Sequence, residues 1–149
     1  MNEKKIWQVT DLKNVDLSDQ DLEFLCNEGL EVGTFGSIVI YSEFESKVNC
    51  VVLGFDSDVP ICCFKNGEGV FSIEGEYKRF VNSTAKAFSM TVARFAKYCN
   101  EVVDVNTEEE ALAIVDSAIN DMKNIDSGAW MKDINYWPII GQQMLEGNL

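Results

Sequence analysis

The sequence contains no histidine and only two prolines, and its positive charge is scarce: 12 lysines and arginines stand against 25 aspartates and glutamates, a formal net charge of −13. Without histidine, Ser–His–Asp and Cys–His catalysis are excluded, as are the usual catalytic zinc ligand sets. The shortage of cations argues against binding to nucleic acid or to an anionic membrane, because phosphates repel such a surface. No apolar run approaches the roughly 18 residues of a membrane span. No apolar leader follows Met1-Asn2-Glu3-Lys4-Lys5. The cysteines are Cys26, Cys50, Cys62, Cys63 and Cys99, and no C-x-x-C occurs among them, so neither a zinc ribbon nor a thioredoxin-type motif is present. An odd number of cysteines without a secretory signal suits reduced thiols, and the expected location is cytoplasmic.

What remains is ample for a core. Apolar residues make up 46% of 149 residues, which fits a single domain over residues 1–149 rather than an acidic disordered tail. The first helix is expected over Asp19–Glu28. Ser18 suits the N-cap, acids fill the first turn, Leu22, Leu25 and Cys26 form the apolar stripe, and Gly29 suits a left-handed stop. Strands are expected over 37–41, 49–55, 61–64, 70–73 and 77–81, joined by short turns. Asn66-Gly67 between two apolar runs signals a hairpin, because a type I′ turn needs positive φ at both central residues. Phe71 and Ile73 alternate with Ser72 and Glu74, as in a sheet with one wet side.

Three helical patterns follow. The second helix of the chain runs from a cap at Asn82 or Ser83 to about Tyr98, and the third opens on the capping box Thr107-Glu108-Glu109-Glu110, with Gly128 as its stop. A short C-terminal helix is expected over Pro138–Glu146. Strands in succession followed by helices predict an α+β fold, an antiparallel meander of about five to six strands packed with three to four helices. The vicinal Cys62-Cys63 pair lies within Pro60–Phe64 and reads as a buried strand rather than a metal or redox site. Trp7, Trp130 and Trp137 read as core residues in preference to binding residues.

The charge is unevenly placed. Residues 77–100 carry Lys78, Arg79, Lys86, Arg94 and Lys97 and no acid. This stretch is either a patch for a phosphate or acidic peptide or, more plainly, a set of cations paired with neighbouring acids, for example from the third helix. The acids gather on expected turns: Glu43 and Glu45, Asp56 and Asp58, Glu74 and Glu76. These six are the candidate partner-binding residues, since −13 exceeds what solubility requires and acidic surfaces steer basic partners.

Chemistry-bearing motifs are otherwise weak. Gly67-Glu68-Gly69 belongs to a turn and forms no phosphate loop, and Asp56-Ser57-Asp58 lacks the glycine and distal glutamate of a calcium loop. Ser83 and Ser89 have no histidine to activate them. Neither a catalytic residue, a metal ligand nor a cofactor is nominated, and the chain reads as a non-enzyme.

Gly54-Phe55-Asp56, the meander that follows it, and Phe80-Val81-Asn82-Ser83-Thr84-Ala85-Lys86-Ala87-Phe88 resemble the SUKH superfamily over roughly residues 22–100. The similarity is to the branch with Asn-Ser at the sheet-to-helix junction. The Trp-containing N-terminal motif of the better-known branch is not recognisable. The resemblance implies an antiparallel sheet beside helices and a role as an immunity protein that binds and neutralises a cognate toxin protein of a polymorphic toxin system. Other relatives act as scaffolds or regulatory adaptors. A third reading is a peptide or small-molecule module with a pocket between the sheet and the second helix.

Overall fold

A computed structural model describes residues 3–147. It opens with the two-residue strand β1 (Lys4–Lys5) and the single turn α1 (Val9–Leu12), both too short to show a hydrophobic period in the sequence. Helix α2 (Asp19–Asn27) starts as expected: the Ser18 Oγ accepts from the Asp21 N–H at 3.2 Å. Gly29 then takes φ +72°, and a Cβ there would meet the Lys5 carbonyl oxygen at 2.3 Å. The glycine therefore ends the helix and lets β1 lie against β2 (Leu30–Glu31), its antiparallel partner.

Seven strands form the main sheet: β3 (Gly33–Phe35), β4 (Ile38–Ile40), β5 (Ser46–Lys47), β6 (Cys50–Asp56), β7 (Val59–Phe64), β8 (Gly69–Glu74) and β9 (Tyr77–Asn82). All pairings are antiparallel, in the order β3-β4-β6-β7-β8-β9, with β5 sharing with β4 one edge of β6. The register of β6 on β7 shifts between Val52 and Gly54. A Cβ on Gly54 would come within 3.0 Å of the Val39 carbonyl oxygen, so the absence of a side chain there lets β4 close onto β6. The hairpin at Asn66-Gly67 has the expected left-handed pair, φ 58° and 71°. Its loop runs over four residues, because Phe64 pairs with Gly69 and a 3-10 turn spans Lys65–Gly67.

Helix α3 (Ala85–Val102) is capped by Thr84, whose Oγ1 accepts from the Ala87 N–H at 3.0 Å, rather than by Asn82 or Ser83. Helix α4 (Glu108–Ile125) is capped by Thr107, while Glu110 reaches back to the Asn106 N–H, one residue earlier than the ideal box. It stops at Ile125, before Gly128, and a 3-10 turn over Ser127–Trp130 follows. Helix α5 (Tyr136–Glu146) begins two residues before Pro138, which sits in the first turn where its missing N–H costs nothing.

The helices cover one face of the sheet. Ile38, Ile40, Val51, Leu53, Ile61, Cys63, Val70 and Val81 join Phe88, Val92, Phe95, Val115, Met122 and Trp137 in one core. On the other face Cys50, Val52 and Cys62 form a smaller cluster with Phe55, Phe64 and Ile73. Here the wet-face expectation fails in sense: Ser72 is buried on the helix side, whereas Phe71 is half-buried on the face without helices. That face supplies its own cover, since Phe64, Phe71 and Phe80 pack edge to face and the Lys78 Nζ sits 3.8 Å from the Phe64 ring centre and 4.3 Å from that of Phe71.

A buried polar knot fastens helices to sheet. The Asn82 amide donates to Asp126 (2.9 Å) and Thr91 (3.2 Å) and accepts from the Trp137 indole N–H (2.9 Å). The Asp126 carboxylate also accepts from the backbone and hydroxyl of Ser83, both at 2.7 Å. Asp21, equally buried, accepts from the Ala85 N–H at the start of α3, where the helix dipole favours a negative charge.

Candidate functional site

Two hairpin turns place charge at one end of the sheet. Asp56 pairs with Val59 across the two-residue turn Ser57-Asp58, and Glu74 pairs with Tyr77 across Gly75-Glu76. Strands β7 and β8 are neighbours, so both turns emerge at the same sheet end, carrying Asp56, Asp58, Glu74 and Glu76. Helix α5 crosses the helix-side surface there. Between them lies a cleft of about 470 Å³, lined by Asp56, Ser72, Glu74 and Arg79 from the sheet and by Tyr136, Ile139, Ile140 and Gln143 from α5.

The chemistry of this cleft follows from its partners. The Tyr136 hydroxyl donates to Asp56 Oδ2 at 2.7 Å, and burial, then the neighbouring carboxylate, push the phenol far above its ordinary range. The phenol therefore stays protonated and fixes one oxygen of Asp56. Arg79 donates to the Ile134 carbonyl and lies over the Tyr77 ring at 4.9 Å. The cleft thus combines carboxylates, hydroxyls and an aliphatic wall from Val59, Ile139 and Ile140, a lining that suits recognition of a cationic group.

Glu43 and Glu45 belong elsewhere. They border a separate depression of about 170 Å³ that shares no lining residue with the cleft. Lys5 fills this neighbourhood: its Nζ donates to the Glu43 carbonyl at 2.5 Å and sits 4.8 Å from the Trp7 ring centre. Desolvation lowers the Lys5 pKa, partly offset by Glu43 and Glu45. The Glu45 carboxylate pairs with Lys47 at 3.9 Å. The structure brings Asp56 and Glu74 into one cleft with Asp58 and Glu76 on the turns above it, and sets Glu43 and Glu45 apart.

The basic stretch is largely engaged with acids. Arg94 pairs with Asp121 of α4 at 2.7 Å and with Glu101 at 3.5 Å, Lys86 with Glu28 at 3.8 Å, and Lys78 with Glu68 at 3.8 Å. Lys97 lines a shallow groove together with Glu31, Glu101 and Asp104. This is the intramolecular pairing that the charge pattern suggested as the plainer reading.

Ser83-Thr84-Ala85-Lys86 does have the S-x-x-K spacing of lysine-activated serines, so the spacing by itself does not exclude that pairing. Geometry separates them, because the Ser83 hydroxyl donates to Asp126 and the Lys86 ammonium pairs with Glu28. Cys62 and Cys63 are both fully buried and, as consecutive strand residues, point to opposite faces, so they cannot chelate one ion together. Burial raises both thiols far above the ordinary value, away from thiolate chemistry. Among the described residues no group of three or more His, Cys, Asp or Glu is placed to hold a metal ion, and no helix is long and apolar enough to cross a membrane. Between the sheet and α3, where the sequence suggested a pocket, lie a small space of about 40 Å³ at Phe35, Ile40, Ser89 and Val92 and an open groove of about 670 Å³ past Thr34, Phe35, Ala93 and Lys97.

The members of the cleft that sequence reasoning missed are Ser72, Arg79 in this role, Tyr136 and Gln143. Arg79 and Ser72 are cross-strand partners, a relation visible once the hairpin register is known, but α5 reaches the site through tertiary packing alone. Comparison with family models, with curated proteins and with solved structures yields no match to this chain.

Proposed function

We propose that this chain is a non-enzymatic immunity protein that binds and neutralises a cognate toxin domain inside the producing cell, and that it docks a basic toxin surface on the acidic end of its sheet. The observation that carries the reading is the grouping of Asp56, Asp58, Glu74 and Glu76 at one sheet end beside a cleft. The SUKH-like Asn82-Ser83 junction supports it, since it supplies the class of partner. Nucleic-acid-processing toxins work on phosphates and tend to carry basic grooves. Carboxylates on two adjacent turns can stand in for those phosphates, while apolar groups at the contact centre supply lasting affinity.

Co-expression with the toxin encoded beside this gene tests the reading. Survival of the host and co-elution of the two proteins on a sizing column are expected. Full toxicity in the presence of well-folded protein overturns it. Asp58→Lys and Glu76→Lys together are expected to slow association about tenfold and to flatten its dependence on salt, measured by stopped-flow mixing. Unchanged kinetics would move the docking surface away from this sheet end.

A further inference from the structure

The cleft holds polar groups that the fold itself leaves unused. Ser72 is 8% exposed and lines the cleft, yet its hydroxyl has no hydrogen-bond partner among the described residues. Glu74, two residues along the same face, meets no lysine or arginine within ion-pair distance among those residues. Asp56 uses Oδ2 for Tyr136, which leaves Oδ1 open. The opposing cation, Arg79, lines the same cleft without pairing with either carboxylate, because the Ile134 carbonyl and the Tyr77 ring hold it. Asp56 is half-buried, Glu74 is exposed, and the Ser72 hydroxyl opens onto the cleft, so all three can meet an incoming group.

Resting on the proposed protein–protein reading, we infer that this cleft is the anchor pocket for one basic side chain of the partner, an arginine or a lysine. The cationic head lies between the Glu74 carboxylate and Asp56 Oδ1, with the Ser72 hydroxyl accepting a further hydrogen bond from it. The aliphatic stem packs on Val59, Ile139 and Ile140, as long basic side chains do when their heads remain polar-solvated. An anionic group fits less well, since it faces two carboxylates and a guanidinium already engaged. The volume of about 470 Å³ accommodates such a side chain with the backbone that presents it. A central anchor filling a pocket, ringed by the weaker contacts of Asp58 and Glu76, is the arrangement that concentrates binding energy at interfaces.

The test is a 15N-resolved NMR titration of the whole protein with Nα-acetyl-L-arginine amide, and in parallel with Nα-acetyl-L-glutamate amide. Saturable shifts at the amides of Ser72, Glu74 and Tyr136 are expected with the arginine compound alone. Glu74→Gln is expected to weaken that binding about tenfold. Ser72→Ala, which removes the hydroxyl at nearly constant size, weakens it less, and Glu109→Gln on α4 leaves it unchanged. No saturable shift at these residues, an equal response to the glutamate compound, or full binding by Glu74→Gln overturns the inference. The two readings separate cleanly. Protection from the toxin that survives Glu74→Gln and Ser72→Ala at full affinity removes the pocket and keeps the immunity function. Arginine binding in the cleft without any protection removes the function and keeps the pocket.

Discussion

Asn82 makes three hydrogen bonds from a side chain that is fully buried, and each goes to a different element: Thr91 on α3, Asp126 after α4, and Trp137 on α5. In the sequence this residue reads only as a cap or as one half of an Asn-Ser signature, because its partners lie 9, 44 and 55 positions away. Removing a member that leaves buried partners unpaired is expensive. Asp126→Ala is expected to destabilise the protein by about 3 kcal/mol, read from urea unfolding, whereas Ser83→Ala, which removes a single hydroxyl, costs about 1 kcal/mol. Equal and small losses would show that water replaces the carboxylate. The cysteines were legible at this scale, since an apolar strand context predicts a buried thiol. Alkylation of the folded protein should therefore modify the half-buried Cys26 and Cys99 well before Cys50, Cys62 and Cys63, as peptide mass mapping would read.

At the scale of elements, periodicity and capping chemistry located α2, α3 and α4 and the four long strands β6–β9, because each is long enough to display its period and its ends, and the β-branched run of β4 located that shorter strand. Strands β1, β2, β3 and β5 have two or three residues each and exist only because a neighbour supplies their hydrogen bonds. Which side of β8 is wet was illegible for a related reason: alternation reports two different faces, not which one the helices cover. The Ser72 side is capped by α5, and the Phe71 side packs on its own aromatic neighbours. The cap of α3 moved by one residue because Ser83 is drawn to Asp126, leaving Thr84 to accept from the helix. Thr84→Ala is accordingly expected to cost about 1 kcal/mol in thermal or urea unfolding. A cost indistinguishable from zero would show that the Asp21 carboxylate on the Ala85 N–H holds the helix start without it.

For the whole molecule, the net charge settles little about the fold but much about the surface. Of the six acids chosen from the sequence, two line the cleft, two stand on the turns beside it, and two border another depression beside Lys5. Turn position was readable, but the distance between turns depends on strand order, which the sequence does not display. The response to alkali is a property of the entire fold. Burial raises the pKa of the thiols, those of Cys62 and Cys63 above all, and of the Tyr98 and Tyr136 phenols. Each raised group contributes stability that is complete below its unfolded value and is lost as pH climbs toward its folded one. Lys5 acts in the opposite sense, because its lowered pKa makes its charge a cost that is relieved as pH approaches 10.5. The raised groups outnumber it, so the urea midpoint is expected to fall as pH rises past the ordinary thiol value of 9.0. Lys5→Met, which removes the opposing contribution, makes that fall steeper. A midpoint flat across this range would contradict the burial of the thiols.

The knot around Asn82 also fixes how the molecule opens. Trp137 anchors α5 to the last strand, Asp126 anchors the segment after α4 to the same point, and Thr91 anchors α3 there. None of these helices can lift from the sheet without exposing the others' buried polar atoms, which makes fraying of the C-terminal third a poor route to partial unfolding. Native-state hydrogen exchange should register this as a common opening free energy for the inner amides of β9, α3 and α5, with the acidic turns at the far sheet end exchanging far sooner. The acidic sheet end can then adapt its shape while the opposite side of the molecule behaves as one rigid block.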